Sequence, residues 1–181
     1  MSNLARVLTV VLLPALAACG ANDPAPKPAP TATAPSTTPA TADPVAAARQ
    51  QVEDAYRGMW AAYTAASRIP DPQHADLARY TSGKALEVLT KGVQSAKDKG
   101  LRERGDVVLQ PSVGGLQDAS VLTKATVNDC IDTSQTSFYK IDGSAYQDSP
   151  GGKRAMLATV EKVEGIWKVV SFGLREVGTC A

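Results

Sequence analysis

The hydrophobic period changes once along this chain, near Gly105, and that change constrains the fold more than any other feature. Between Asp43 and Gly100 apolar residues recur every three or four positions, the repeat of a helix with one buried face. After Gly105 the apolar residues are Val-, Thr- and aromatic-rich runs separated by turn residues, which is strand composition. Helices first and successive strands after them predict an α+β domain. One long and two shorter helices pack on one face of a curved antiparallel sheet of four to five strands.

The helical half is punctuated clearly. Asp43 stands as an N-cap and Pro44 as the first helical residue. Val52, Tyr56, Met59 or Trp60, Tyr63 and Ala66 form a stripe at helical spacing, read as core packing rather than a ligand platform. Pro70 and Pro72 break that helix. A short helix follows His74, then a third with Leu86, Leu89 and Val93 on one side and Gly100 closing it. The strand half reads as DVVLQPSV, ASVLTKATVNDCID, TSFYKID, KRAMLATVEKVE and IWKVVSFGLREV. Asp142 to Gly152 is a loop, and Glu164-Gly165 is a tight hairpin turn.

The N-terminal segment is of another kind. Val7 to Ala18 is apolar apart from Thr9. It is shorter than the about 20 residues that span a bilayer, and has the proportions of a signal-peptide core ending in small residues. Leu16-Ala17-Ala18-Cys19 resembles the bacterial lipobox. That resemblance implies a signal peptide over 1–18, removal before Cys19 and diacylglycerol on the Cys19 thiol. The alternative is an ordinary signal peptide with an incidental cysteine. Two acyl chains, at about 0.8 kcal/mol per buried CH₂, suffice for stable anchoring. The expected location is the outer face of a membrane, extracytoplasmic and lipid-anchored. Residues 19–44 alternate Pro with Ala, Thr and Ser and read as a disordered or extended tether of roughly 75 Å at ~3.1 Å per residue. Its Thr and Ser residues are candidates for O-linked sugar, against the plainer reading of an unmodified spacer. Residues 45–181 form the folded domain.

The order of the elements, and the late Gly165-x-Trp167-x-Val169 hairpin, resemble the nuclear-transport-factor-2-like, cystatin-like, cone-shaped α+β fold. VNDCIDTS and the terminal GTCA are similar to a set of actinobacterial secreted lipoproteins that share it. The resemblance covers about residues 45–181. That fold hosts isomerases, dehydratases, cyclases and non-catalytic binders, so it implies a pocket between sheet and helices without naming an activity.

With Cys19 assigned to lipid, Cys130 and Cys180 remain as an even pair in an oxidising compartment and are expected to form a disulfide. They are not spaced as C-x-x-C, and with a single His the chain lacks a zinc ligand set, so neither redox chemistry nor a metal is expected. The net charge of +1 provides no field for nucleic acid, and Val113-Gly114-Gly115 lacks the Lys-Ser/Thr of a phosphate loop, so no cofactor is expected. Val121, Thr123, Ala125, Val127, Asp129 and Ile131 share one face by alternation, and Asp129 interrupts it. In a dry pocket Asp129 would be a general base. At a strand end leaving the core it would be solvated or bonded to backbone. His74 reads as a surface residue, and Lys91, Lys97, Lys99, Arg102 and Arg104 as a solvated helix face and turn or a contact for anionic headgroups.

Three readings of function follow. The first is a non-catalytic envelope module that binds a protein partner or a small apolar ligand. Apolar residues on both sides of the last strand, Ile166, Val170 and Phe172 against Trp167 and Val169, allow a homodimer through the sheet face. The second is an isomerase- or cyclase-like enzyme using Asp129 on a small apolar molecule. The third is a structural envelope module without ligand. No nucleophile motif such as G-x-S-x-G is present to support acyl transfer.

Overall fold

The computed structural model of the chain describes residues 43–116 and 122–180. The signal peptide, the tether up to residue 42, Cys19 and Val121 lie outside the described residues. Helix α1 runs Pro44–Arg68, α2 Ala75–Tyr80 and α3 Gly83–Asp98. The strands are β1 Leu101–Arg104, β2 Ser112–Gly114, β3 Lys124–Asp132, β4 Ser137–Lys140, β5 Lys153–Val163 and β6 Ile166–Leu174. The architecture is α+β, three helices on antiparallel sheets, as the period change predicts. Among the described residues no helix is long and apolar enough to cross a membrane.

Helix α1 starts where the sequence says. Asp43 is extended, its carboxylate accepts the Val45 amide at 2.9 Å, and Pro44 occupies the first turn, where its missing N–H costs nothing. The predicted stripe is the buried face: Val52, Tyr56, Met59, Trp60 and Ala66 are in the core, with Tyr63 packed against it. Gly58 lies on another part of the helix surface, where a Cβ would overlap the Tyr80 ring; its absence lets α2 close against α1. Helix α3 buries Ala85, Leu89, Val93 and Ala96, while Leu86 is half-buried.

The main sheet has four strands in the order β2-β3-β5-β6, all antiparallel. Its inner face carries Val113, Ala125, Val127, Ile131, Met156, Ala158, Val160, Trp167 and Val169, and closes the core with the helices. Strand β2 is much shorter than the DVVLQPSV run, because Val108 makes only an isolated bridge to Asp132 and Pro111 has no N–H for a ladder. The β6 edge is partly covered: Ser82 donates its amide to the Val169 carbonyl, and Thr81 bridges to the same residue. Glu164 and Gly165 both have positive φ, 52° and 82°, the geometry of a type I′ turn. Asn at position 164 tolerates that conformation better than Glu. Glu164→Asn should therefore stabilise the domain by about 0.5 kcal/mol, seen as a thermal midpoint about 2 °C higher.

Two sequence expectations are corrected here. Leu101–Arg104, read as part of a solvated basic turn, is a strand paired antiparallel with β4 in a separate two-stranded ribbon. Alternation in LRER puts Leu101 and Glu103 inward and leaves Arg104 in water. The second correction concerns the last strand. Thr159 pairs with Ser171 but Val160 with Val169, so Val170 is the extra residue of a β-bulge. Beyond it the alternation is inverted. Phe172, opposite the buried Ala158, joins Trp167 and Val169 on the helix side rather than facing outward with Ile166.

The C-terminal tail is bound to the sheet. Arg175 and Gly178 donate amides to the carbonyls of Ala155 and Lys153, and Thr179 Oγ1 accepts the Ala155 amide at 2.9 Å. Cys180 then bonds to Cys130 on β3, the expected disulfide, with Cα atoms 5.9 Å apart.

Candidate functional site

A cavity of about 340 Å³ opens between the helices, the ribbon and the lower ends of β3, β5 and β6. Helix α1 contributes Trp60 and Tyr63, and α3 contributes Leu89 and Gly92. Phe138 comes from β4, Ile131 from β3, and Phe172 and Leu174 from β6 beyond the bulge. The loop from Asp148 to Gly151 closes one side. Trp60 and Tyr63 meet edge to face, centroids 6.1 Å apart, so the α1 wall is rigid and aromatic. The walls are thus largely apolar, with polar groups at a few points, the composition of a small-molecule site.

The charged groups among them are Glu103, Arg154 and Asp148. Glu103 is 7 % exposed, and its Oε2 finds no hydrogen-bond partner among the described residues. Burial pushes its carboxyl up to about 6; the neighbouring Ser67 hydroxyl and the Arg68 charge oppose the rise, and Asp148 adds to it. Arg154 stands opposite Ile131 on the inner face, and its Nε is buried without a partner among the described residues. Asp148 is occupied: it accepts the Phe138 amide at 2.6 Å, which fixes the loop against the ribbon. The Tyr63 hydroxyl is also held protonated more firmly than usual, by burial first and by the Glu103 charge second.

Because the folded Glu103 binds its proton more tightly than an unfolded glutamate, stability is full below about pH 4.5 and falls as pH rises through about 6. The decrement is about 2 kcal/mol at neutral pH. Glu103→Gln should abolish it, so that the variant exceeds the parent in urea titrations at pH 8 and matches it at pH 4. Equal differences at both pH values would refute the assignment.

Asp129 does not belong to this cavity. It lies on the same inner face as Ala125, Val127 and Ile131, as the alternation requires. The expectation that the strand leaves the core there is corrected: β3 stays paired with β5 to Asp132, Ile131 is fully buried, and Asp129 is 6 % exposed. One Asp129 oxygen accepts the Tyr56 hydroxyl at 2.9 Å and the other the Gln110 amide at 2.8 Å. Burial, with a smaller contribution from the Asp129 charge, keeps the Tyr56 phenol protonated far above its usual range. The trio ties α1, β3 and the segment before β2 together. His74 is half-buried at the α2 N-cap position and makes no side-chain cap bond. Glu103, Arg154 and Asp148 escaped sequence reasoning. The signal for Glu103 was the alternation in LRER, hidden in a run that reads as surface charge.

Helices layered on an antiparallel sheet with a ligand-sized cavity between them define the class: an α+β domain with a concave site between its layers. No protein-family model matches the chain, and no curated protein matches it in sequence. Among solved structures it is similar to the intermembrane space region of the chloroplast protein ARC6, with 16% identity over 70% of this chain and 95% of that one and a TM-score of 0.52. That likeness shows a shared fold. Weaker likenesses are to a variant of a chain called Rd1NTF2_05 and to a cystatin-like protein of unknown function from Nostoc punctiforme. The first has 9% identity, 68% and 98% coverage and a TM-score of 0.39. The second has 14% identity, 67% and 88% coverage and a TM-score of 0.38.

Proposed function

We propose that this chain is a lipid-anchored, extracytoplasmic envelope protein whose α+β domain binds a small, largely apolar molecule without transforming it. The observation that carries the binding half is the cavity itself, where aromatic and aliphatic walls surround a buried carboxylate oxygen without a hydrogen-bond partner among the described residues. Asp129, the carboxylate that a catalytic reading would need, has both oxygens engaged by Tyr56 and Gln110 and stands outside the cavity lining. The anchoring half is supported by Leu16-Ala17-Ala18-Cys19 at the end of an apolar run, and the Cys130–Cys180 bond suits an oxidising compartment.

The test is to purify the full chain from bacterial membranes, measure the mass of its N-terminal peptide and extract the protein with organic solvent. A diacylated Cys19 and a co-purifying apolar molecule, both absent from the respective Cys19→Ala and cavity-filled Gly92→Leu variants, are the expected results. An unmodified or internal N-terminus removes the anchor, and an empty extract from every preparation removes the ligand.

A further inference from the structure

Resting on that binding reading, we infer that the cavity selects a neutral molecule with an apolar body and one head group that both donates and accepts a hydrogen bond, a hydroxyl or a primary amide, seated on Glu103 and Arg154. Two unsatisfied atoms carry this. Among the described residues Glu103 Oε2 is an acceptor without a donor, and Arg154 Nε–H is a donor without an acceptor. Both side chains line the same cavity, Glu103 from the ribbon and Arg154 from β5. Buried polar groups of native proteins are paired almost without exception, so two complementary orphans around one space describe the head group of an occupant.

The charges decide against an ionic ligand. Glu103 and Asp148 are anionic and line the cavity; Arg154 is cationic and lines it, and the Arg68 charge acts on Glu103 from α1. A head group seated on both atoms lies between a guanidinium and a carboxylate, so a charge of either sign meets a like charge there and also loses its hydration. A hydroxyl satisfies both orphans from a single oxygen and brings no charge. The volume of about 340 Å³ admits on the order of ten non-hydrogen atoms, at the ~30 Å³ that a water-sized group occupies.

Four probes of matched length test this on the full chain, followed by tryptophan emission, since Trp60 is in the wall. They are octan-1-ol, 1-methoxyheptane, octylammonium and octanoate. Octan-1-ol should bind about tenfold or more tightly than each of the others, the effect of one hydrogen bond to a buried charged acceptor. Glu103→Leu should erase the advantage of the alcohol over the ether while leaving the affinity for the ether within about twofold. Arg154→Met should reduce it too, and it serves as the independent variant if Glu103→Leu unfolds. A charged probe that equals the alcohol, or an advantage that survives in both folded variants, overturns the inference. Binding of all four without order sinks this inference but leaves the cavity reading standing, whereas no binding by any probe sinks both.

Discussion

Replacing Cys130 and Cys180 together by serine should lower the unfolding free energy by about 4 kcal/mol, the largest effect expected of any change outside the helical core. The two are separated by 50 residues, so the bond removes much of the loop entropy of the unfolded chain. In the folded protein it holds the tail against the end of β5, where Arg175, Gly178 and Thr179 already hydrogen-bond to Ala155 and Lys153. For a domain of this size the thermal midpoint should fall by about 12–15 °C. Each single serine variant, and the parent protein under strong reductant, should fall as far as the double variant. A change below about 1 kcal/mol would mean that these hydrogen bonds keep the tail docked without the disulfide and that the unfolded chain is already compact across that loop.

Asp129→Ala should cost about 3–4 kcal/mol, read by urea denaturation at neutral pH. The carboxylate serves two buried donors, the Tyr56 hydroxyl and the Gln110 amide, and its removal strands both. Tyr56→Phe should cost about 2 kcal/mol, because one oxygen of a buried carboxylate loses its donor while the Gln110 bond survives. The sum of the two losses should exceed that of the double variant by about 1 kcal/mol or more, since the Tyr56–Asp129 bond is shared. Strict additivity would show that the two groups do not cooperate. A cost of this size would account for Asp129 as a member of the framework.

Much of the framework is visible in the residues. Asp43-Pro44 marks the start of α1, the aromatic stripe marks its buried face, and Glu164-Gly165 marks the last turn, because each is a local signal with a local cause. The alternation through β3 also places Asp129 inward correctly. What alternation could not reveal was which inward residue would find a partner. Tyr56 and Gln110 are 73 and 19 residues away from Asp129, and their meeting depends on tertiary packing. The ribbon was hidden for a related reason. Charges on both sides of Glu103 disguise a four-residue strand whose partner, Ser137–Lys140, comes 33 or more residues later. The Val170 bulge leaves no mark in composition, because an inserted valine in a strand looks like any other strand residue.

That bulge works as a change of phase. Trp167 and Val169 count along the strand in one parity, and Phe172 and Leu174 count in the other, yet all four serve the inner side of the sheet. Which face the wall takes is therefore set by the bulge, and counting alternate residues alone misplaces it. Deleting the single residue Val170 would remove the bulge and leave Val169, Ser171 and Phe172 in unbroken alternation, so Phe172 and Leu174 would keep facing the cavity. One extra codon in such a strand is absorbed by the bulge, and the wall beyond it keeps its place.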